Sequence, residues 1–242
     1  QLWNDETIQK LNKGKTVLLV PRPESVAGNT KGSFTPIFWT RIMFSSSSVH
    51  TVGIYCDNQH PALADFPTQN YTNWQWYDLL ENSKPLVINS LPKNYKAIVE
   101  PIDDWTNPRR LGLLMEAKVG RGKLMVCSID ILNDLKNRPA ARQLRKSLVN
   151  YMKSKSFKPA KTIDIDSLSE LFMDPLRLKM IDGTTASDSA AGYEVLKAID
   201  GNEKTFWHSP WKNNKKMPQE IIIDLGEKEV INGMTYLPRQ EI

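Results

Sequence analysis

The spacing of apolar positions switches between helical and extended along the first two thirds of the chain. Residues 5–11 read as a short helix that Gly14 ends, and 16–20 as a buried strand stopped by Pro21, Arg22 and Pro23. Residues 52–56 form a second apolar run with a β-branched bias. Helical spacing returns over 74–80, and a brief strand follows at 86–88. Three further runs, 97–102, 111–117 and 123–129, read as strands, with Gly120-Arg121-Gly122 joining the last two as a hairpin. Residues 140–152 give the best helix, placing Ala141, Leu144, Leu148 and Met152 on one face. Strands alternating with helices predict a layered α/β domain with a mostly parallel sheet.

The texture changes at 154–161, a Lys/Ser/Pro stretch of the kind that links domains. Beyond it the helical period fades. Residues 221–226 read as a strand ending in a turn and 230–237 as the next strand, so an all-β sandwich is expected there. Fewer residues remain than the ~100 of a two-sheet sandwich, and the second domain is expected to be incomplete. A chain opening on Gln1 rather than Met is expected to be a piece of a longer polypeptide.

Composition adds limits. With 40% apolar and 24% charged residues, the 242-residue chain has the balance of a folded protein. No apolar run approaches the ~20 residues of a membrane helix. Two cysteines and three histidines exclude a disulfide scaffold and a histidine-rich metal centre. Charge is uneven, since residues 1–160 carry 22 Lys/Arg against 13 Asp/Glu and residues 161–242 carry 10 against 14. The basic residues are scattered, and the densest group (Arg138, Arg142, Arg145, Lys146) falls on the predicted helix as a solvated face. No nucleic-acid partner is expected.

Few residues suggest chemistry. Cys56, at a strand end with His60 four residues on, invites a nucleophile reading, but Tyr55 and Asp57 flank it where a sharp elbow needs small residues. A buried structural thiol is expected, and Cys127 is expected to fill the core. Asp103 and Asp104 are adjacent, so on a strand they would point to opposite faces and could not bracket one bond. Trp74, Trp76 and Tyr77 form an aromatic cluster. Stacking on sugars or bases is one use, but the helical spacing of Trp74 and Tyr77 predicts packing in the core or against another domain. In the second half, Asp200, Asn202 and Thr205 gather hard oxygen donors around Gly201. They suit either a calcium loop or an Asx turn satisfying its own backbone.

Three blocks of the second half carry a resemblance. They are Asp200-Gly201-Asn202 with the run from Thr205 to Trp211, the run from Pro218 to Gly226, and Ile231-Asn232-Gly233 with the run from Tyr236 to Gln240. Together they resemble the discoidin or F5/8 type C domain, a group that includes family 32 carbohydrate-binding modules. The resemblance implies a discoidin-type jelly roll, incomplete here, over 158–242. It implies a structural calcium at Asp200, Asn202 and Thr205, and carbohydrate contacts at His208 and Arg239.

The first half carries another. His60-Pro61-Ala62-Leu63, the run from Asn73 to Leu79, Ile102-Asp103-Asp104-Trp105, the run from Leu111 to Gly120, and the run from Arg138 to Leu144 resemble C-terminal regions of family 2 glycoside hydrolases, the β-galactosidase-like enzymes of gut Bacteroidetes. This implies a flavodoxin-like, degenerate glutamine-amidotransferase-like α/β domain over 1–157. The chain is then expected to be a non-catalytic accessory region of a larger glycoside hydrolase. Its partners would be the upstream catalytic domains of the same polypeptide and galactose-containing glycans, at a periplasmic or cell-surface location. The competing readings are a Cys-dependent amidotransferase or hydrolase using Cys56 and His60, and a purely structural domain pair.

Overall fold

The computed structural model describes residues 2–28, 30–34, 51–104, 108–200, 205–211 and 217–238. The chain divides into two compact units, Gln1–Met173 and Asp174–Ile242.

The first unit is built on a sheet of five strands. In chain order these are β1 (Thr16–Leu19), β2 (Gly53–Cys56), β4 (Val99–Ile102), β6 (Leu114–Val119) and β7 (Gly122–Cys127), and across the sheet they run β1-β7-β6-β4-β2. Strands β3 (Leu86–Val87) and β5 (Leu111–Gly112) form a separate two-stranded ribbon. The expected run at 111–117 therefore splits between two sheets.

Residues alternating along the strands feed two apolar layers. Met125 and Cys127 of β7 enter one with Phe66, Trp76 and Leu148; Leu124 and Val126 enter the other with Trp3, Leu11 and Phe172. A sheet buried on both faces needs near-continuous apolar strands, which is why the strands stand out in the sequence.

Helices close both layers. Helix α1 (Asp5–Asn12) starts where the Asn4 side chain accepts the Thr7 amide hydrogen at 3.0 Å, and it buries Thr7 and Leu11. Helix α3 (Pro139–Lys153) buries Ala141, Leu144, Leu148 and Tyr151, with Met152 half-buried at the edge of the stripe. Between them lies α2 (Tyr77–Glu81), which follows a 3-10 turn at Trp74–Trp76.

The layered α/β arrangement is present, but the mostly parallel sheet is not. Among the described strands of this sheet only β1 and β7 pair in parallel, while β2–β4, β4–β6 and β6–β7 are antiparallel. The hairpin at Gly120 and Gly122 forces one of these directions. Gly120 sits at φ +56°, and a Cβ on Gly122 would lie 2.6 Å from the carbonyl oxygens of Leu11 and Lys15.

The 154–161 stretch is not a free linker, and the unit continues past residue 157. Phe157 is buried, and Lys123 Nζ donates to its carbonyl at 2.7 Å. The Lys118 amide donates to Lys161 at 2.8 Å, tying the segment to β6. Helix α4 (Ile165–Ser169) then leads to Leu171 and Phe172 in the core. Trp3 stacks on Phe172 with ring centroids 5.5 Å apart, and its Nε1 donates to Ser169 Oγ at 2.9 Å.

The second unit opens with α5 (Pro175–Gly183), capped by Asp174, whose side chain accepts the Leu176 amide hydrogen at 2.8 Å. Strands β8 (Thr184–Ala186) and β9 (Ile221–Ile223) pair antiparallel. Residues 230–237, expected as a strand, form none. Val230, Ile231, Met234, Tyr236 and Leu237 are exposed, with no ladder partner to hold them extended. Among the described residues no helix is long and apolar enough to cross a membrane.

Candidate functional site

The sequence singled out groups in both units. In the first, Cys56 ends β2 fully buried, and burial, aided by the charge of Asp57, pushes its thiol up to about 12. Its supposed base is engaged elsewhere. His60 Nδ1 accepts the Ala62 amide hydrogen at 3.2 Å, capping the 3-10 turn at Pro61–Leu63, while Nε2 lies 3.9 Å from Glu116 Oε1. Tyr151 donates to the other Glu116 oxygen at 2.8 Å and sets its ring edge against the imidazole. His60 is thus fixed by a cap and a carboxylate, and the Cys56–His60 pairing is not assembled. A thiol with so small a thiolate fraction is a poor nucleophile. Cys127 is equally buried, and desolvation raises it to about 12 as well.

Asp103 and Asp104 are both buried. The Asp103 carboxylate accepts the Asp104 amide at 2.8 Å, the Arg109 amide at 2.9 Å and Arg109 Nε at 2.8 Å. It is spent on holding its own loop.

The aromatic cluster divides. Trp76 is fully buried against Phe66, with Nε1 donating to Thr68 Oγ1 at 2.7 Å. Trp74 and Tyr77, expected to pack in the core or against another domain, are not in the core and are 79% and 52% exposed. The 3-10 turn ahead of α2 shifts their directions from those of a continuous α-helix.

In the second unit the loop after β8 positions its aromatic groups through the backbone. The Ala190 amide donates to the His208 carbonyl at 2.8 Å, and the His208 amide donates to the Tyr193 carbonyl at 3.3 Å. Trp207 Nε1 points inward, sharing its hydrogen between the Asp188 carbonyl and Ser189 Oγ, both at 3.0 Å. The next residues turn outward. His208 stacks on Trp211 with centroids 4.2 Å apart and planes at 21°, and Tyr193 meets Trp211 edge-on at 5.3 Å. Trp211 is 61% exposed.

Thr205 Oγ1 donates to Asp200 Oδ2 at 2.6 Å, so two of the expected calcium-loop residues meet at the neck of their loop. Arg177 Nη2 donates to the Asp200 carbonyl. Asn202 and Arg239 lie outside the described residues. The sequence had not singled out Tyr193 or Trp211 as site residues. Trp211 carried a signal, an aromatic residue three places after His208, whereas Tyr193 carried none.

A short β unit presenting an aromatic shelf on its loops follows a layered α/β unit. Residues 183–242 match the F5/8 type C domain. The chain belongs to the family described as domain of unknown function DUF8487, whose model matches residues 1–173. Among curated proteins it is similar to the galactose oxidase of Gibberella zeae, 41% identical over 59 residues, which are 24% of this chain and 9% of that protein. It is also similar to the sialidase of Micromonospora viridifaciens, 31% identical over 70 residues, 28% of this chain and 11% of that protein. The chain thus spans about a tenth of the length of these relatives.

Proposed function

We propose that the F5/8 type C unit binds carbohydrate through the His208–Trp211 shelf, as a non-catalytic accessory region of a larger sugar-processing enzyme. The supporting observation is the exposed Trp211 ring held flat against His208 and backed by Tyr193. The C–H face of a pyranose is electropositive and suits the electron-rich face of an indole, while the His208 ring edge offers a hydrogen-bonding nitrogen.

The two relatives are named for sugar chemistry, a galactose oxidase and a sialidase, and galactose-containing glycans are the ligand class we infer. The parent would be a glycoside hydrolase of the β-galactosidase-like type, exported to the periplasm or cell surface, with its hydrolytic carboxylates on upstream domains. Buried Cys56 and the engaged Asp103 support a non-catalytic reading of this chain.

A calcium ion would play a structural part. Asp200 and Thr205 present hard oxygens of the kind calcium takes, with Asn202 the third donor the motif supplies. When bound, the ion would tie the ends of the 200–205 loop together.

The test is titration of the chain with lactose and with maltose, followed by tryptophan fluorescence. Lactose is expected to shift the emission, His208→Ala and Trp211→Ala to abolish the shift, and maltose to leave it unchanged. A lactose response that survives both substitutions, or no response to lactose at millimolar concentration, would overturn the reading.

A further inference from the structure

The first unit holds an aromatic shelf of its own. Phe34, Trp74 and Tyr77 are in mutual contact, with ring centroids 4.9 Å apart for Phe34–Trp74, 5.5 Å for Phe34–Tyr77 and 6.0 Å for Trp74–Tyr77. Hydrogen bonds fix its position. Asn73 Oδ1 accepts the Gln75 amide hydrogen at 3.0 Å, capping the turn that carries Trp74. Glu81 Oε1 accepts the Phe34 amide hydrogen at 2.9 Å.

Glu81 also lines a cleft of about 380 Å³, within the size range of small-molecule sites, beside Thr30, Ser83, Lys84 and Asp130. Tyr77 and Glu81 are four residues apart on α2, and Glu81 holds the Phe34 amide, so the shelf and the cleft adjoin at Glu81. The cleft also includes Pro23 and Asp130, which follow β1 and β7. It therefore opens at the carboxyl ends of the parallel pair, the usual place for a ligand in a layered α/β domain.

The cleft sets two lysines, Lys31 and Lys84, against two carboxylates, Glu81 and Asp130, and this balance selects the ligand. Lys84 is half-buried and forms no ion pair or hydrogen bond through Nζ among the described residues. Burial holds its ammonium below the usual range, and the charge of Glu24 opposes that shift. The Asp130 carboxylate is occupied by the Leu132 and Asn133 amides at 2.9 and 3.0 Å and by Arg138 at 3.0 Å. Glu81 is engaged through Oε1 alone among the described residues. An anionic ligand would meet Glu81 and Asp130, and a cationic one would meet Lys31 and Lys84. An aliphatic protein surface would strand both charges. A neutral polyol uses both, since each hydroxyl donates to a carboxylate and accepts from an ammonium.

We propose that this shelf and cleft form one binding site for an uncharged oligosaccharide. A pyranose lies on Trp74, and hydroxyls of the adjoining sugar bond to Lys84 Nζ and Glu81 Oε2. The site is separate from the His208–Trp211 shelf and does not depend on the reading of that shelf.

The test titrates the whole chain with neutral tetrasaccharides of glucose, mannose and xylose units, and with glucuronate, by calorimetry. At least one tetrasaccharide is expected to bind. Trp74→Ala and Lys84→Gln should each weaken it about tenfold or more. Trp74→Tyr should retain most of the affinity, and Trp211→Ala should leave it unchanged. Because Trp74 is exposed, its replacement is expected to keep the far-ultraviolet dichroism of the wild type. Binding lost in Trp211→Ala but kept in Trp74→Ala, preference for glucuronate, or no binding of any tetrasaccharide would overturn the proposal.

Discussion

Replacing Arg138 by Met tests how much one cation contributes to the first unit. Its guanidinium donates through Nε to Asp78 at 2.9 Å and through Nη1 to Asp130 at 3.0 Å, joining α2 and the loop after β7 to the start of α3. A hydrogen bond to a buried charge contributes about 1.5–3 kcal/mol, an exposed pair about 0.2–1 kcal/mol. The Asp78 and Asp130 side chains keep 34% and 28% of their surface, so each pair belongs between those limits, near 1 kcal/mol. Against this, Nη2 is buried without a hydrogen-bond partner among the described residues, and its removal returns up to about 1 kcal/mol. Met preserves the packing of the stem. The net loss is expected to be about 1–2 kcal/mol, or about 2–8 °C in Tm.

The pH dependence has a definite sign. Burial pushes the Asp130 carboxyl up, but the Leu132 and Asn133 amides, the Asn133 side chain and Arg138 together hold it below its ordinary value. A carboxylate depressed in the folded state stabilises above the unfolded pKa of about 3.9, and that contribution disappears as pH falls through the folded value. Calorimetry of wild type and R138M should therefore show a gap at pH 7 that narrows below pH 4 and in molar salt. A variant at least as stable as wild type, or a gap that persists unchanged at low pH, would refute the reasoning.

Two further outcomes follow from the core. Iodoacetamide at pH 8 should leave Cys56 and Cys127 unmodified in the folded chain and label both in urea, since burial holds both thiols near 12; mass spectrometry counts the adducts. Gly122→Ala should destabilise the first unit by about 1–3 kcal/mol, because its Cβ would press on two backbone carbonyls; urea denaturation measures the loss.

What the sequence revealed depended on how local the deciding contacts are. The hairpin of β6 and β7 is written in Gly120 and Gly122, and the buried stripe of α3 in the spacing of Ala141, Leu144 and Leu148. Strand direction was not visible in this way. The parallel pairing of β1 with β7 joins segments about a hundred residues apart in sequence, with Thr16 opposite Lys123. Helix α5 was hidden because Leu176, Leu178 and Met180 alternate like a strand, and only Asp174 before Pro175 marks a helix start. Whether Trp74 enters the core was not legible, because its outward direction depends on a 3-10 turn that periodicity does not distinguish from an α-helix. The motif pointed to His208 as a candidate, but its stack on Trp211 needed the loop geometry, and Tyr193 reaches that shelf through backbone pairing.

The stacking of Trp3 on Phe172 has a mechanical consequence. Trp3 and Phe172 lie near the two ends of the unit Gln1–Met173, so tension applied at those ends meets at nearly one point. The aromatic pair and the Trp3–Ser169 hydrogen bond both hold Trp3 and share that load side by side, together with the pairing of Phe172 with Val26 and the Met173 amide bond to Ser25.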